Sequence, residues 1–167
     1  MCLSADANEV LLKEWRDETG THTLTIKKKM LADNNHEVIG EQLLIKQTTG
    51  TTTDWFLKDD VKFCDDDISL GIIDTSVEIQ NFPFGNGYIV LFAYKTGCVG
   101  GIEPVSIKYI AFNNNTQYSL DGEEHIILGQ DGFGGEQPPV PDSNLKNNKP
   151  LYDYMLTKWG DVSLTKY

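Results

Sequence analysis

Alternating apolar and polar residues along most of the chain predict antiparallel β-strands. Residues 22–30 alternate apolar side chains with threonine and lysine, which is the pattern of a half-buried strand. An Asp-Asn-Asn turn follows, and residues 38–47 alternate in the same way, so the two segments predict a hairpin. The apolar residues within 9–16 fit either a first strand or a short helix.

The stretch from Gly87 to Asp121 predicts the centre of the fold. Residues 88–94 are apolar on both alternating faces, which is typical of a strand covered on two sides. Ser106 and Lys108 give the next predicted strand one wet face, and an Asn-Asn-Asn turn leads into a third. These three segments indicate consecutive antiparallel strands.

The end of the chain predicts a loop and then a helix. Residues 129–141 hold four Gly and three Pro, so we expect no regular element there. Beyond it, Pro150 suits a first helical turn, and Gly160 suits the helix end. The predicted apolar face of this helix contains Leu151, Tyr154, Met155 and Trp159.

These elements predict an α+β fold made mainly of one antiparallel sheet. We expect about six to eight strands, with the C-terminal helix packed against them. Residues 1–8 are interpreted as an N-terminal tether and residues 9–167 as a single domain with a flexible loop at 129–149.

The chain is acidic. It has 14 Lys plus Arg against 25 Asp plus Glu, a formal net charge of -11. Such a charge repels nucleic acid and anionic lipid and attracts basic proteins, although it also fits a surface that is only kept soluble. The sequence therefore predicts no nucleic-acid partner, and it contains no apolar run of the roughly 18 residues that a transmembrane helix needs.

The three cysteines suggest a compartment. If Met1 comes from cloning, Cys2 is the first residue of a lipoprotein and carries the lipid anchor; otherwise Met-Cys is a natural cytoplasmic start. Cys64 ends a Val-Lys-Phe-Cys run, and Cys98 follows the predicted central strand in a turn. Three cysteines can supply one lipid anchor and one disulfide, an assignment that favours an exported protein. The alternative is that Cys64 and Cys98 are two buried reduced thiols.

Motifs for catalysis are missing from the sequence. There is no nucleophile elbow, phosphate-binding loop or dinucleotide fingerprint. The histidines His22, His36 and His125 are widely spaced and predict surface positions. Calcium at Asp65, Asp66 and Asp67 is an alternative to a solvated acidic turn, but three adjacent carboxylates do not alternate as calcium ligands do. We therefore expect no enzyme, metal or cofactor.

The aromatic and acidic residues favour a protein-binding surface. Exposed aromatic side chains within a charged rim are typical of such surfaces, and aromatic residues that fold inward are the alternative. The predicted partner-binding residues are Asp65, Asp66, Asp67, Phe82, Phe84 and Phe133, with Trp55 as a further exposed aromatic.

Several segments resemble small exported bacterial proteins of the surface polysaccharide biosynthesis family. The segments that carry this resemblance, within residues 12–121, are Trp15-Arg-Asp-Glu-Thr-Gly20, Cys64-Asp-Asp, Tyr94-Lys-Thr-Gly-Cys98, Glu103-Pro-Val-Ser-Ile-Lys108 and Gln117-Tyr-Ser-Leu-Asp-Gly122. The resemblance implies export and a disulfide between Cys64 and Cys98. The family's acidic ion-binding loop is replaced here by Asn81-Phe-Pro-Phe-Gly-Asn-Gly87, which has no carboxylate.

Together these observations predict a non-enzymatic protein of the periplasm, anchored through Cys2. The first hypothesis is an immunity protein that occludes a basic toxin or effector. The alternative is an accessory of cell-surface polysaccharide assembly that binds glycan.

Overall fold

Four antiparallel strands in chain order form the first sheet. The computed structural model describes residues 8–81 and 87–167. The strands of this sheet are β1 (Asn8–Asp17), β2 (Gly20–Ala32), β3 (Val38–Thr49) and β4 (Thr52–Lys62), in the order β1-β2-β3-β4. The ambiguous segment at residues 9–16 is therefore a strand, paired with β2 through Leu12–Thr25 and Trp15–His22.

The second sheet contains the predicted central strand. Its long strands are β5 (Asp67–Asn81), β6 (Tyr88–Val99), β7 (Ser106–Asn113) and β8 (Thr116–Glu123). The sheet order is β11-β8-β7-β6-β5, where β11 (Val140–Pro141) is a two-residue edge strand. All pairings in this sheet are antiparallel.

A small third sheet lies in the C-terminal part. It consists of β9 (His125–Leu128), β10 (Asp131–Phe133) and β12 (Leu164–Lys166), and β12 runs parallel to β9. The prediction that residues 129–141 hold no regular element is wrong, because β10 and β11 both fall there. Gly129 at φ 63° allows the tight turn that returns β10 onto β9.

Two helices follow the strands, α1 (Ser143–Lys146) and α2 (Lys149–Val162). Asn148 caps the start of α2 by accepting a hydrogen bond from the Leu151 backbone N–H, and Pro150 lies in the first turn as predicted. The predicted cap at Gly160 is wrong. The helix continues to Val162, and Ser163 ends it with both its backbone N–H and its hydroxyl donating to Trp159 O.

Strand β6 separates two hydrophobic cores. Val90, Phe92 and Tyr94 pack against the first sheet, while Ile89 and Leu91 face α2 on the other side. Each of these side chains is at most 2% exposed. The predicted strand covered on two sides and the mainly antiparallel α+β fold are confirmed, and the C-terminal helix packs against the second sheet. The eight long strands are divided between two antiparallel sheets, however, and do not form the one sheet that was predicted.

Candidate functional site

The strands bring the connections together at two opposite ends. The turns before β4 and after β7 lie at one end, which we call the hairpin end; Thr19, Thr52 and Asn114 mark it. The β4–β5 and β6–β7 connections lie together at the other end, because Asp67 pairs there with Val99. We call it the disulfide end because it also holds Cys64 and Cys98. Each end carries a different set of polar side chains.

Cys64 and Cys98 form a disulfide at the disulfide end. The S–S distance is 2.05 Å and the Cα atoms are 5.7 Å apart. Cys98 is not in a turn as expected but inside β6, which continues to Val99 and pairs with β5 through Ile68–Cys98. The disulfide therefore attaches the short β4–β5 connection to β6, an interior strand of the second sheet.

Phe63 is the most exposed large apolar side chain among the described residues, at 78%. It directly precedes the disulfide, and its backbone has φ 54°, a left-handed conformation that is uncommon for a bulky residue. Its N–H donates to Ile39 O at 2.8 Å, a bond that holds the turn in place. Such strain persists only where surrounding structure enforces it, and it is concentrated at functional positions.

The predicted carboxylates Asp65, Asp66 and Asp67 follow immediately and are all exposed. A Cβ atom placed on Gly100 would lie 3.4 Å from Asp66 Oδ1, so this carboxylate lies against the β6–β7 connection. None of the three makes a hydrogen bond or ion pair with another described residue. Within the described ranges, no group of three His, Cys, Asp or Glu side chains is arranged to hold a metal ion.

The β6–β7 connection adds to this surface. Ile102 is 45% exposed, and the neighbouring Glu103 is exposed as well. The disulfide end therefore places the exposed apolar side chains of Phe63 and Ile102 beside the carboxylates of Asp65, Asp66, Asp67 and Glu103. Neither of these apolar residues was predicted as an interface residue, because Phe63 lies within the Val-Lys-Phe-Cys run and Ile102 within a Gly-rich turn.

The predicted aromatic residues have different outcomes. Trp55 is not an exposed anchor: it is 7% exposed, and its ring stacks on Phe112 at 3.9 Å in the core between the sheets. Phe133 is half-buried on β10. Phe82, Phe84 and Cys2 lie outside the described residues.

The negative charge is not spread evenly. By register, the outer face of the first sheet carries six cations, Arg16, Lys27, Lys29, Lys46, Lys58 and Lys62. Its described side chains include two carboxylates, Glu14 and Asp60. Cations therefore outnumber the described carboxylates on this face, whereas the whole chain has 14 Lys plus Arg against 25 Asp plus Glu. The acidity is therefore concentrated away from this face.

His22 corrects the prediction of a surface histidine. It is 7% exposed, and it lies between Asp17 and Thr49, with Nε2 2.8 Å from Asp17 Oδ1 and Nδ1 2.8 Å from Thr49 Oγ1. Trp15 stacks on its ring at 5.3 Å. Hydrogen bonds from the Thr19 hydroxyl and then from His22 lower the pKa of Asp17 to about 2.

Comparison with protein families, with curated proteins and with solved structures finds no match to this chain. The resemblance to the surface polysaccharide biosynthesis family therefore stays a prediction. In the described part of the chain, neither helix has the length and apolar character that crossing a bilayer requires.

Proposed function

We propose that this protein is a non-enzymatic binding protein, an immunity protein that inhibits a secreted bacterial toxin by covering it with the disulfide end. The observation that carries this proposal is Phe63. A phenylalanine that is 78% exposed, held at φ 54° and followed by three exposed aspartates has the composition of an interface anchor with a charged rim.

The disulfide supports the proposal because it restricts the turn that presents this anchor. Affinity improves when a binding loop is ordered before the partner arrives, since less conformational entropy is lost on binding. The Cys64–Cys98 bond and the hydrogen bond from Phe63 to Ile39 both limit motion there. Phe63 is therefore presented on a preorganised surface.

The carboxylates favour a basic partner. Asp65, Asp66, Asp67 and Glu103 concentrate negative charge at one end of the molecule, and such complementarity mainly accelerates association. The basic outer face of the first sheet would repel the same partner. A basic toxin would thus be guided toward the disulfide end.

The compartment belongs to the same proposal. A structural disulfide is typical of proteins that fold in oxidising surroundings such as the periplasm. Lipidation of Cys2 would hold the inhibitor at the membrane surface where a delivered toxin arrives. Mass spectrometry of the protein purified from the cells that produce it tests whether Cys2 carries the lipid.

The central experiment compares two exposed phenylalanines. A partner is captured from the producing cells with the full chain and identified, and its affinity is then measured for wild type, Phe63→Ala and Phe56→Ala. Phe56 is 54% exposed on the outer face of the first sheet, so it is the matched control. We expect Phe63→Ala to weaken binding by at least about tenfold and Phe56→Ala to have little effect.

Charge is tested separately by kinetics. Asp66→Asn should slow association at low salt, whereas Glu14→Gln removes the same charge from the opposite surface and should not. In cells, wild type but not Phe63→Ala should relieve growth inhibition by the partner. The proposal fails if no basic protein is captured, or if Phe56→Ala weakens binding as much as Phe63→Ala does.

A further inference from the structure

The hairpin end contains an open cavity of about 480 Å³. Three hairpins converge on it: their turns contribute Thr19, Asn114 and Asn115, and the adjoining ends of β3 and β4 contribute Thr49, Thr52 and Asp54. His22 and Gln47 complete the wall from strands β2 and β3. Among the described residues, no lysine or arginine lines this cavity, although the chain has 14 of them.

A chain of hydrogen bonds holds the wall in place. The Thr49 hydroxyl donates to Asp54 Oδ2 at 2.6 Å, and the Gln47 amide donates to the same oxygen at 2.9 Å. Trp55 Nε1 donates to Gln47 Oε1 at 3.1 Å, which joins the cavity to the core between the sheets. The wall is therefore preorganised.

The same chain includes His22. The Thr49 hydroxyl donates to Asp54, the Thr19 hydroxyl donates to Asp17, and the His22 ring lies between Thr49 and Asp17. Its Nδ1 is 2.8 Å from Thr49 Oγ1, and its Nε2 is 2.8 Å from Asp17 Oδ1. His22 positions the wall through these bonds, and it is supported from behind by Trp15.

Three groups of the wall remain available. The Thr52 hydroxyl, the Asn115 amide and Asp54 Oδ1 make no hydrogen bond with another described residue. Together they offer a hydroxyl, an amide with both donor and acceptor, and a carboxylate oxygen. A ligand that both donates and accepts at closely spaced positions would satisfy them.

We infer that this cavity binds a neutral saccharide. The neighbouring hydroxyls of a sugar ring each donate and accept, which matches the mixed set of amide, hydroxyl and carboxylate groups. An anion would meet Asp54 without a lysine or arginine to balance it. An apolar ligand would leave the polar wall unpaired, at a cost in free energy.

Titrations by nuclear magnetic resonance test this inference with glucose, galactose and N-acetylglucosamine as probes. The Trp55 indole N–H is a built-in reporter, because its acceptor Gln47 lines the cavity. At least one probe should cause saturable shifts of this signal and of the Asn115 side-chain amide. Thr52→Val and Asn115→Ala should each weaken the affinity by about fivefold, the value of one lost hydrogen bond.

Asn34→Ala is the matched control, since Asn34 lies in the turn between β2 and β3, away from the cavity, and its variant should bind as wild type does. Phe63→Ala should also bind the sugar normally, so failure of the proposed toxin binding leaves this result unaffected. The inference is overturned if none of the three sugars shifts the Trp55 signal. It is also overturned if sulfate shifts the same signals and the sugars do not, or if Thr52→Val and Asn115→Ala both bind as wild type does.

Discussion

Cys64 and Cys98 are joined by a disulfide across a sequence separation of 34 residues, and the loop that it closes contains all of β5 and most of β6. A cross-link of this span restricts the unfolded chain, which in the chain-entropy model stabilises the folded state by about 3 to 4 kcal/mol. The double variant Cys64→Ala/Cys98→Ala should lose stability of this size. Urea unfolding measures the loss.

Reductant supplies the control for the disulfide. It should lower the free energy of unfolding of wild type toward that of the double variant and leave the double variant unchanged. Intact mass should rise by two hydrogen atoms on reduction of wild type. A wild-type protein that is insensitive to reductant would contradict the prediction.

The Phe63→Gly variant should be more stable to unfolding than the Phe63→Ala variant. Both changes remove the ring, but only glycine adopts φ 54° without a steric penalty. We expect Phe63→Gly to exceed Phe63→Ala by about 1 kcal/mol in the free energy of unfolding, the reverse of the usual order. Equal stability of the two variants in thermal and urea unfolding would mean that the turn relaxes when the ring is lost.

Lys95 should stabilise the folded protein because it pairs with the buried carboxylate of Glu124. The Glu124 side chain is 4% exposed, and its carboxylate contacts Lys95 Nζ and the Thr165 hydroxyl, which joins β6 to the C-terminal strand β12. Lys95→Met leaves this carboxylate without its cation and should cost about 3 kcal/mol. Adding Glu124→Gln to Lys95→Met should recover part of the loss.

The exposed pair of Lys149 and Asp153 is the matched control for Lys95. Its side chains are 80% and 57% exposed, although its Nζ–Oδ2 distance is only 2.7 Å. Lys149→Met should therefore cost no more than about 0.5 kcal/mol. If both lysine variants lose the same stability in urea unfolding, burial of Glu124 is not what makes Lys95 important.

Asp17 should make the free energy of unfolding depend on pH in the acid range. Its pKa falls from 3.8 to about 2 in the folded protein, because Thr19 and His22 donate hydrogen bonds to the ionised carboxylate. A lowered folded-state pKa means that this contribution is fully present above pH 3.8 and is lost as the pH falls toward 2. Asp17→Asn should unfold with a weaker dependence on pH across that window.

A carboxyl-carbon titration measures the pKa of Asp17 directly. Thr19→Val should raise this pKa toward its ordinary value, because it removes the hydrogen bond with the largest effect. Glu14→Gln is the control for the unfolding experiment, since the Glu14 carboxylate makes no hydrogen bond with another described residue. A steeper acid dependence in Asp17→Asn than in wild type would have the wrong sign for this explanation.

Much of the fold could be predicted because strand patterns are local. In β2, apolar Leu24 and Ile26 alternate with threonines, and this period depends only on the pleat of a strand. Residues 88–94 lack a polar face, which predicted burial on both sides. The helix end was missed because Gly160 suits a cap but is also tolerated within a helix whose end is set by Ser163.

The candidate sites were harder to predict from the sequence, because the exposure of a side chain depends on what packs against its strand. Trp55 and Phe56 are adjacent aromatics on β4, and only the second sheet decides that Trp55 is buried and Phe56 exposed. The β7 strand shows the same effect: Lys108 is accessible, whereas Phe112 on the same face is covered. The cavity at the hairpin end was not predicted at all, since its wall comes from the turns and strand ends of three hairpins that are distant in sequence.

The sequence by itself determined the antiparallel strands, the burial of β6 on both faces, the terminal helix and the exposed acidic run at Asp65, Asp66 and Asp67. These features follow from the period of side chains along a strand or helix and from the cost of burying charge. Only the tertiary structure decided that Phe63 points into solvent and that His22 is enclosed. Both outcomes depend on partners far along the chain, Ile39 and Cys98 near Phe63 and Thr49 for His22, which no local pattern specifies.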